Sequence, residues 1–139
     1  MSVHEQMLTS LDNFARALAS LDRFLADTAT TERERAGVLQ AFEYTYELCW
    51  KAAQKLAAYQ GLVASSPRQA FKAAFRIGVI DQADEDVWLD MIDDRNRTVH
   101  TYRAEIAQEI FVRVRDRYHG AFTGFLARAR ALSNEGEER

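Results

Sequence analysis

Apolar residues recur every three or four positions along most of this 139-residue chain, which is the spacing of a helix with one buried face. The pattern predicts a first helix over Ser2 to Ala26 and a second from Thr31 to about Gln60. A third, short helix begins at Ser65-Ser66-Pro67 and ends at Gly78, and a fourth covers roughly Ala83 to Val99. The last helix begins near Ala104, and its expected inward-facing positions are Phe111, Val114, Tyr118, Ala121, Phe125 and Leu132.

The helix boundaries carry capping signals. Ser2-Val3-His4-Glu5 and Thr31-Glu32-Arg33-Glu34 both have the pattern of a capping box, and a polar connection, Asp27 to Thr30, separates these two helices. Gly61 is placed to end the second helix in a left-handed conformation. No stretch has the alternation and turn residues of a β-hairpin. We therefore predict an all-α fold, an up-and-down antiparallel bundle of four long helices plus one short inserted helix. It forms a single domain over residues 1–139, and its polar tail, residues 133–139, is expected to fray.

Composition narrows the class of protein. Hydrophobic residues make up 47% of the chain, enough for a packed core, and the net charge of -3 excludes a general polyanion binder. The single cysteine, Cys49, cannot form an internal disulfide and fits a reducing, cytoplasmic setting. No apolar run is long enough to cross a membrane, and there is no signal-peptide pattern. Zinc-site spacing and a glycine-rich phosphate loop are also missing, so we expect neither a metal nor a cofactor.

Polar chemistry is concentrated in one stretch, Arg95-Asn96-Arg97-Thr98-Val99-His100-Thr101-Tyr102, which follows the carboxylates of Asp93 and Asp94. Arg95 falls in phase with the apolar positions of the fourth helix. A guanidinium at such a position is costly unless it is paired or lines a wet cleft. On a straight helix, Arg95 and His100 would point about 140° apart. They can act together if the helix ends there, or if two copies of the chain meet across a two-fold axis.

The stretch permits two interpretations. In the first, His100 moves a proton at a ribose hydroxyl or a leaving oxygen, Arg95 holds a phosphate, and Asn96 fixes the histidine or the phosphate. In the second, an ion-pair network stabilises the bundle: Arg95 pairs with a buried carboxylate, and Asp94 and Tyr102 complete the network. The arginines of the last helix, as a group, fit a solvated face better than a track for RNA. Those arginines are Arg113, Arg115, Arg117, Arg128 and Arg130.

The pattern Arg95-Asn96-x-x-x-His100-x-Tyr102 resembles the signature of HEPN domains, in the form found in HepT-type toxins. Two further regions resemble the branch called nucleotidyltransferase substrate-binding proteins. One is the aromatic run from Phe42 to Lys51, and the other comprises the segments from Ser66 to Ala70 and from Trp88 to Asn96. The resemblance covers about residues 5 to 130.

The resemblance implies a helical homodimer with the motif near the dimer cleft, which binds a cognate minimal nucleotidyltransferase acting as antitoxin. It implies a metal-independent ribonuclease in which His100 is the general acid and base and Arg95 binds phosphate, with Asn96, Tyr102 and Asp94 supporting or binding substrate. It also implies that the partner can silence the toxin by adding AMP to Tyr102, because the added phosphate charge would occupy the cleft. The alternative within the same family is a non-catalytic subunit that binds the nucleotide or substrate of the nucleotidyltransferase.

Overall fold

The computed structural model describes residues 1–27 and 31–137, and this part of the chain is helical with no β-strand. Residues 28–30 of the expected polar connection, and residues 138–139 of the expected frayed tail, lie outside the described residues. The helices are α1 (Val3–Ala26), α2 (Glu32–Tyr59), α3 (Pro67–Arg76), α4 (Glu85–Arg97), α5 (Ala104–Arg113) and α6 (His119–Glu137). Short 3₁₀ turns cover Gln82–Asp84 and Thr98–His100, and a π turn, Val114–Tyr118, joins α5 directly to α6.

Side-chain caps set several of these boundaries. Thr31 and Glu34 form both hydrogen bonds of a capping box at the start of α2, as the sequence predicts. At the start of α1, the Ser2 hydroxyl accepts from the backbone N–H of Glu5 at 3.1 Å, which is one half of the expected box. Gly61 follows α2 with a φ of 81°, the left-handed conformation that glycine adopts without strain.

The core lies where α2 packs against α1, α3 and α5, while α6 packs on α1. Its centre is a cluster of aromatic rings in edge-on and tilted contact: Phe14, Phe42, Phe71, Trp88, Phe122 and Phe125. Each of these side chains is buried, so the cluster holds elements from every part of the described chain together. The all-α bundle predicted from the sequence is confirmed. No helix among the described residues is long and apolar enough to span a membrane.

The last third of the chain differs from the expectation in three details. The fourth helix ends at Arg97 rather than near Val99, and a 3₁₀ turn continues it to His100. The expected single last helix contains the π turn, and its last part, α6, extends to Glu137. Phe122 is fully buried, whereas Ala121 is half-buried, because a phenyl ring gains more from burial than a methyl group does.

Candidate active site

The candidate site lies where α4 ends, and threonine hydroxyls define that end. The Thr98 hydroxyl donates to the carbonyl of Arg95 at 2.7 Å, and the Thr101 hydroxyl donates to the carbonyl of Thr98 at 2.9 Å. These bonds satisfy carbonyls that lose their helical partners, so they stabilise a tight turn in place of further α-helix. His100 and Tyr102 are therefore carried out of the helix onto the surface, where both side chains are exposed.

Arg95 lies half-buried at the edge of the core, with 28% of its side chain exposed. One terminal nitrogen, Nη1, donates to the Thr98 hydroxyl at 3.1 Å, and Nη2 lies 3.9 Å from Glu47 Oε1 on α2. Its Nε–H is buried and has no hydrogen-bond partner among the described residues. A buried guanidinium donor without a partner is unusual and costly, which makes this position a candidate for holding an anion.

Glu47 is the residue that faces Arg95 across the gap between α2 and α4. Its other carboxylate oxygen accepts from the indole N–H of Trp50 at 3.0 Å, which fixes the direction of the side chain. The neighbouring Tyr46 is buried, and burial is the main cause that raises the pKa of its hydroxyl to about 12. The charge of Glu47 adds to this rise, and the charge of Arg95 opposes it. Arg95 thus lies in a pocket of mixed charge and not in a hydrocarbon seam.

His100 and Tyr102 lie side by side on the surface, with ring centroids 6.1 Å apart in an edge-on arrangement. Tyr102 is 77% exposed, so its hydroxyl is open to an incoming enzyme or nucleotide. Asn96 is also exposed. Within residues 1–27 and 31–137, no hydrogen bond or ion pair joins Arg95 to His100, nor Asn96 to either of them. A single copy of the chain therefore brings the rings of His100 and Tyr102 together, and among the described residues no direct bond links either ring to Arg95.

Asp94 is the buried carboxylate of this region. It accepts from Arg97 at 3.1 Å, from Arg113 at 3.0 Å and from the hydroxyl of Tyr118 at 2.5 Å. Burial raises the pKa of Tyr118, and the hydrogen bond to Asp94 raises it further. Because its own chain supplies three donors, Asp94 anchors the end of α4 to the last helix. We call Asp94, Arg97, Arg113 and Tyr118 the anchor network.

This network corrects the expectation that Arg95 neutralises a buried carboxylate. Arg95 follows Asp94 directly, and consecutive helix residues point about 100° apart, so they face different neighbours. Asp94 points to α5 and the π turn, where Arg113 and Tyr118 lie, while Arg95 points to α2. The two partners of Asp94 outside α4 lie 19 and 24 residues further along the chain, and no sequence spacing indicates them.

The arrangement can support acid–base chemistry on a phosphate ester. The exposed histidine can transfer a proton, and the guanidinium with a spare donor can hold a negatively charged oxygen. In the described part of the chain, no three side chains of His, Cys, Asp or Glu converge to hold a metal ion.

Comparison with known proteins gives one family and a consistent set of folds. The family model described as "Nucleotidyltransferase substrate binding protein like" matches residues 9–131. No curated protein sequence matches the chain. A protein of solved crystal structure from Thermus thermophilus is 34% identical, with 84% of this chain and 98% of that chain covered and a TM-score of 0.78.

Two further solved structures share the fold at 20% identity, each with a TM-score of 0.73. One is a tri-AMPylated HEPN toxin of Shewanella oneidensis in complex with an MNT antitoxin, with 94% of this chain and 99% of that chain covered. The other is a mutant of the toxin–antitoxin MntA–HpeT, with 91% of this chain and 98% of that chain covered. The family model confirms the family branch that the sequence motifs predicted, and the solved structures confirm the helical architecture.

Proposed function

Because the chain belongs to the nucleotidyltransferase substrate binding protein-like family and has the fold of HEPN toxins, we propose that it is the HEPN partner of a minimal nucleotidyltransferase. As such a partner it would act in the cytoplasm as a metal-independent endoribonuclease. The observation that carries this proposal is the buried, unpartnered Nε of Arg95, one turn before an exposed histidine. A buried guanidinium N–H without an acceptor among the described residues suits the phosphate of a phosphodiester, and the exposed imidazole of the same motif can transfer its proton.

The proposed chemistry is transesterification within the RNA. His100 accepts the proton of a ribose 2′-hydroxyl while that oxygen bonds to phosphorus. The bond from phosphorus to the 5′-oxygen breaks, and the leaving oxygen takes up a proton from the imidazolium of a second histidine or from water. Arg95 holds the non-bridging oxygens as negative charge develops on them. The products are a cyclic phosphate and a 5′-hydroxyl end, which balances all protons and bonds.

A homodimer is part of this proposal because no hydrogen bond or ion pair links Arg95 to His100 among the described residues of one copy. Val99 and Tyr102 flank His100 and are 69% and 77% exposed, which is apolar surface that a second copy can cover. In such a dimer two motifs face one cleft, and the arginine of one copy can act with the histidine of the other. The monomer geometry alone leaves the proposed site half complete.

Tyr102 is the proposed point of control. Its exposed hydroxyl beside His100 is open to an AMP-transferring partner. A phosphodiester formed there would bring negative charge next to the imidazole and occupy the place of an RNA phosphate. The tri-AMPylated HEPN toxin with the same fold supports this idea by showing that a protein of this architecture accepts AMP groups.

The test is expression of the chain alone in a bacterial host, with growth and RNA 5′-hydroxyl ends followed. The native chain and a matched control, His119→Ala, should arrest growth and cleave RNA, because His119 lies on α6 and pairs with Asp22. His100→Ala and Arg95→Ala should do neither while keeping the native helical content. RNA breakdown that persists in both site variants would refute the assignment of the site.

A non-catalytic role is the alternative within the same family, which is described as "substrate binding protein like". In that case the chain would present a nucleotide or substrate to the nucleotidyltransferase and cleave nothing. The native chain would then leave growth and RNA unchanged, yet it would co-purify with the neighbouring nucleotidyltransferase. Failure of both the growth assay and the co-purification would exclude the two functions together.

A further inference from the structure

A groove of about 230 Å³ opens between the first turns of α2 and the start of α5. We call its apolar lining residues the floor, and these are Ala36, Leu39, Ala104 and Ala107. We call its polar lining residues the rim; they include Gln40 and Glu43 from α2, and Thr101 from the turn before α5 also lines the groove. Thr101 is the residue between His100 and Tyr102, so the groove begins where the candidate active site ends.

We propose that this groove binds the base of the nucleotide whose phosphate lies at the Arg95–His100 site, and that it prefers a base carrying an exocyclic amino group. The position of the phosphate rests on the proposed function. The base preference rests on the groove itself and is measurable on binding alone. None of the groove residues on α2 or α5 belongs to the motif that defines the candidate site.

The size of the groove suits one heterocyclic base. A volume of about 230 Å³ equals about eight water molecules at the liquid value of about 30 Å³ each. Pockets for drug-sized ligands begin at about 300 Å³, so a larger ligand would extend into solvent. The alanine and leucine floor gives a flat ring an apolar surface, and the polar rim can meet the hydrogen-bonding edge of that ring.

The charge of the rim favours a base over a phosphate as the group that binds in the groove. Two carboxylates, Glu32 and Glu43, line the groove beside one guanidinium, Arg35. A net negative rim repels a phosphate but accepts N–H donors. Adenine and cytosine carry an amino group on the edge where uracil has a carbonyl oxygen, and a carboxylate bonds the amino group and repels the carbonyl. Glu43 and the amide of Gln40 are therefore placed to select adenine or cytosine over uracil.

Covalent continuity ties the groove to the candidate site. Consecutive Cα atoms are about 3.8 Å apart, so the backbone of Thr101 lies within one residue of both His100 and Tyr102. The Thr101 hydroxyl donates to the Thr98 carbonyl at 2.9 Å, which fixes the side chain that Thr101 contributes to the groove lining. A base in the groove and a phosphate at the motif would then belong to one nucleotide, joined by its sugar across Thr101.

The experiment measures the affinity of the full chain for 5′-AMP, 5′-CMP, 5′-UMP and ribose 5-phosphate by calorimetry. AMP and CMP should bind about fivefold or more tightly than UMP and ribose 5-phosphate. Ala36→Phe should remove the difference by filling the groove. The control Ala58→Phe makes the same change at an exposed site near the other end of α2 and should preserve the difference. Glu43→Gln should reduce the difference in affinity between AMP and UMP without altering the affinity for ribose 5-phosphate. This variant tests the groove assignment even if Ala36→Phe fails to fold.

Equal affinity for all four compounds, or a preference for AMP that survives both Ala36→Phe and Glu43→Gln, would overturn the groove assignment. If Ala36→Phe instead dissociates a dimer in sedimentation and leaves the base preference unchanged, a second copy occupies the groove and the assignment is likewise overturned. The proposed ribonuclease activity can be refuted separately. If the native chain cleaves no RNA but its preference for AMP disappears in Ala36→Phe, the base site is supported and the ribonuclease activity is refuted.

Discussion

Asp94→Ala tests whether the anchor network holds the motif in place. Asp94 is 2% exposed and is the shared acceptor for Arg97, Arg113 and Tyr118. Arg97 and Arg113 also approach Glu109, at 2.7 and 3.8 Å, so both guanidiniums keep one carboxylate partner when Asp94 is removed. Tyr118 has no such substitute, because it is fully buried and Asp94 is the acceptor of its hydroxyl.

The expected loss follows from the burial of each partner. The stranded Tyr118 hydroxyl costs about 1–3 kcal/mol, the usual penalty for a buried donor without an acceptor. The side chains of Arg97 and Arg113 are 37% and 34% exposed, so water replaces much of what they lose and each adds about 0–1 kcal/mol. The free energy of unfolding should therefore fall by about 1–5 kcal/mol, with a central value of about 3 kcal/mol. For a chain of this length, that loss lowers the melting temperature by about 10 °C.

The assay is urea unfolding followed by circular dichroism at one fixed protein concentration, since self-association would make stability depend on concentration. Asp93→Ala is the matched control, because Asp93 is the exposed neighbour on the same turn and should change stability by less than about 0.5 kcal/mol. Asp94→Asn keeps an acceptor for the Tyr118 hydroxyl, so its loss of stability should lie between the losses of Asp94→Ala and Asp93→Ala. An Asp94→Ala loss that equals the Asp93→Ala loss would show that the network does not stabilise the fold.

Three further outcomes are expected. Arg95→Ala should cost less than about 1 kcal/mol, because Arg95 contacts Thr98 and lies 3.9 Å from Glu47; a loss as large as that of Asp94→Ala would give Arg95 a structural role. Stability should decline above about pH 10, where an unfolded tyrosine ionises before Tyr46, whose pKa burial raises to about 12. The unfolded state then binds fewer protons, so each pH unit lowers the free energy of unfolding by up to about 1.4 kcal/mol. Tyr46→Phe should make this decline less steep, and parallel curves of stability against pH for the variant and the native chain would exclude Tyr46 as its cause. Under the proposed function, Arg103→Ala removes an exposed guanidinium next to Tyr102 and should lower the salt slope of RNA binding by about 0.7. Arg115→Ala should leave the slope unchanged because Arg115 is paired to Asp116, and equal slopes for both variants would contradict this.

The helices could be predicted because they depend on local signals. The capping box at Thr31 and Glu34 and the left-handed Gly61 act within a few residues, and both appear where the sequence places them. The end of α4 was misplaced by two residues because the Thr98 hydroxyl takes the Arg95 carbonyl out of the helical pattern. Apolar periodicity also allows spacings of both three and four, so it could not decide between Ala121 and Phe122 as the buried residue of the last helix.

The position of the candidate site in the sequence could be predicted, but the residues that other helices contribute to it could not. The motif marks residues 95–102, yet the residue that faces Arg95 is Glu47, which lies on a different helix. Arg113 precedes the π turn and Tyr118 is the last residue of it. Such a turn has no sequence periodicity of its own, and both side chains meet Asp94 because the wide turn brings residues five apart toward one face. Such partners are set by packing between helices, and a single sequence contains no signal that pairs them.

The distribution of ion pairs explains how an acidic chain could bind RNA through few contacts. Four arginines of the last helix lie 2.7 to 3.7 Å from carboxylates, namely Arg113, Arg115, Arg117 and Arg128. Beyond about 10 Å at moderate salt, each such pair presents almost no net field to a phosphate. Arg95 differs, because its carboxylate partner Glu47 is held at 3.9 Å by the hydrogen bond to Trp50 and its Nε is unpartnered. Under the proposed function, a phosphate would therefore be held at the end of α4 rather than along the last helix, and a dimer would double that contact without raising the charge of the surface.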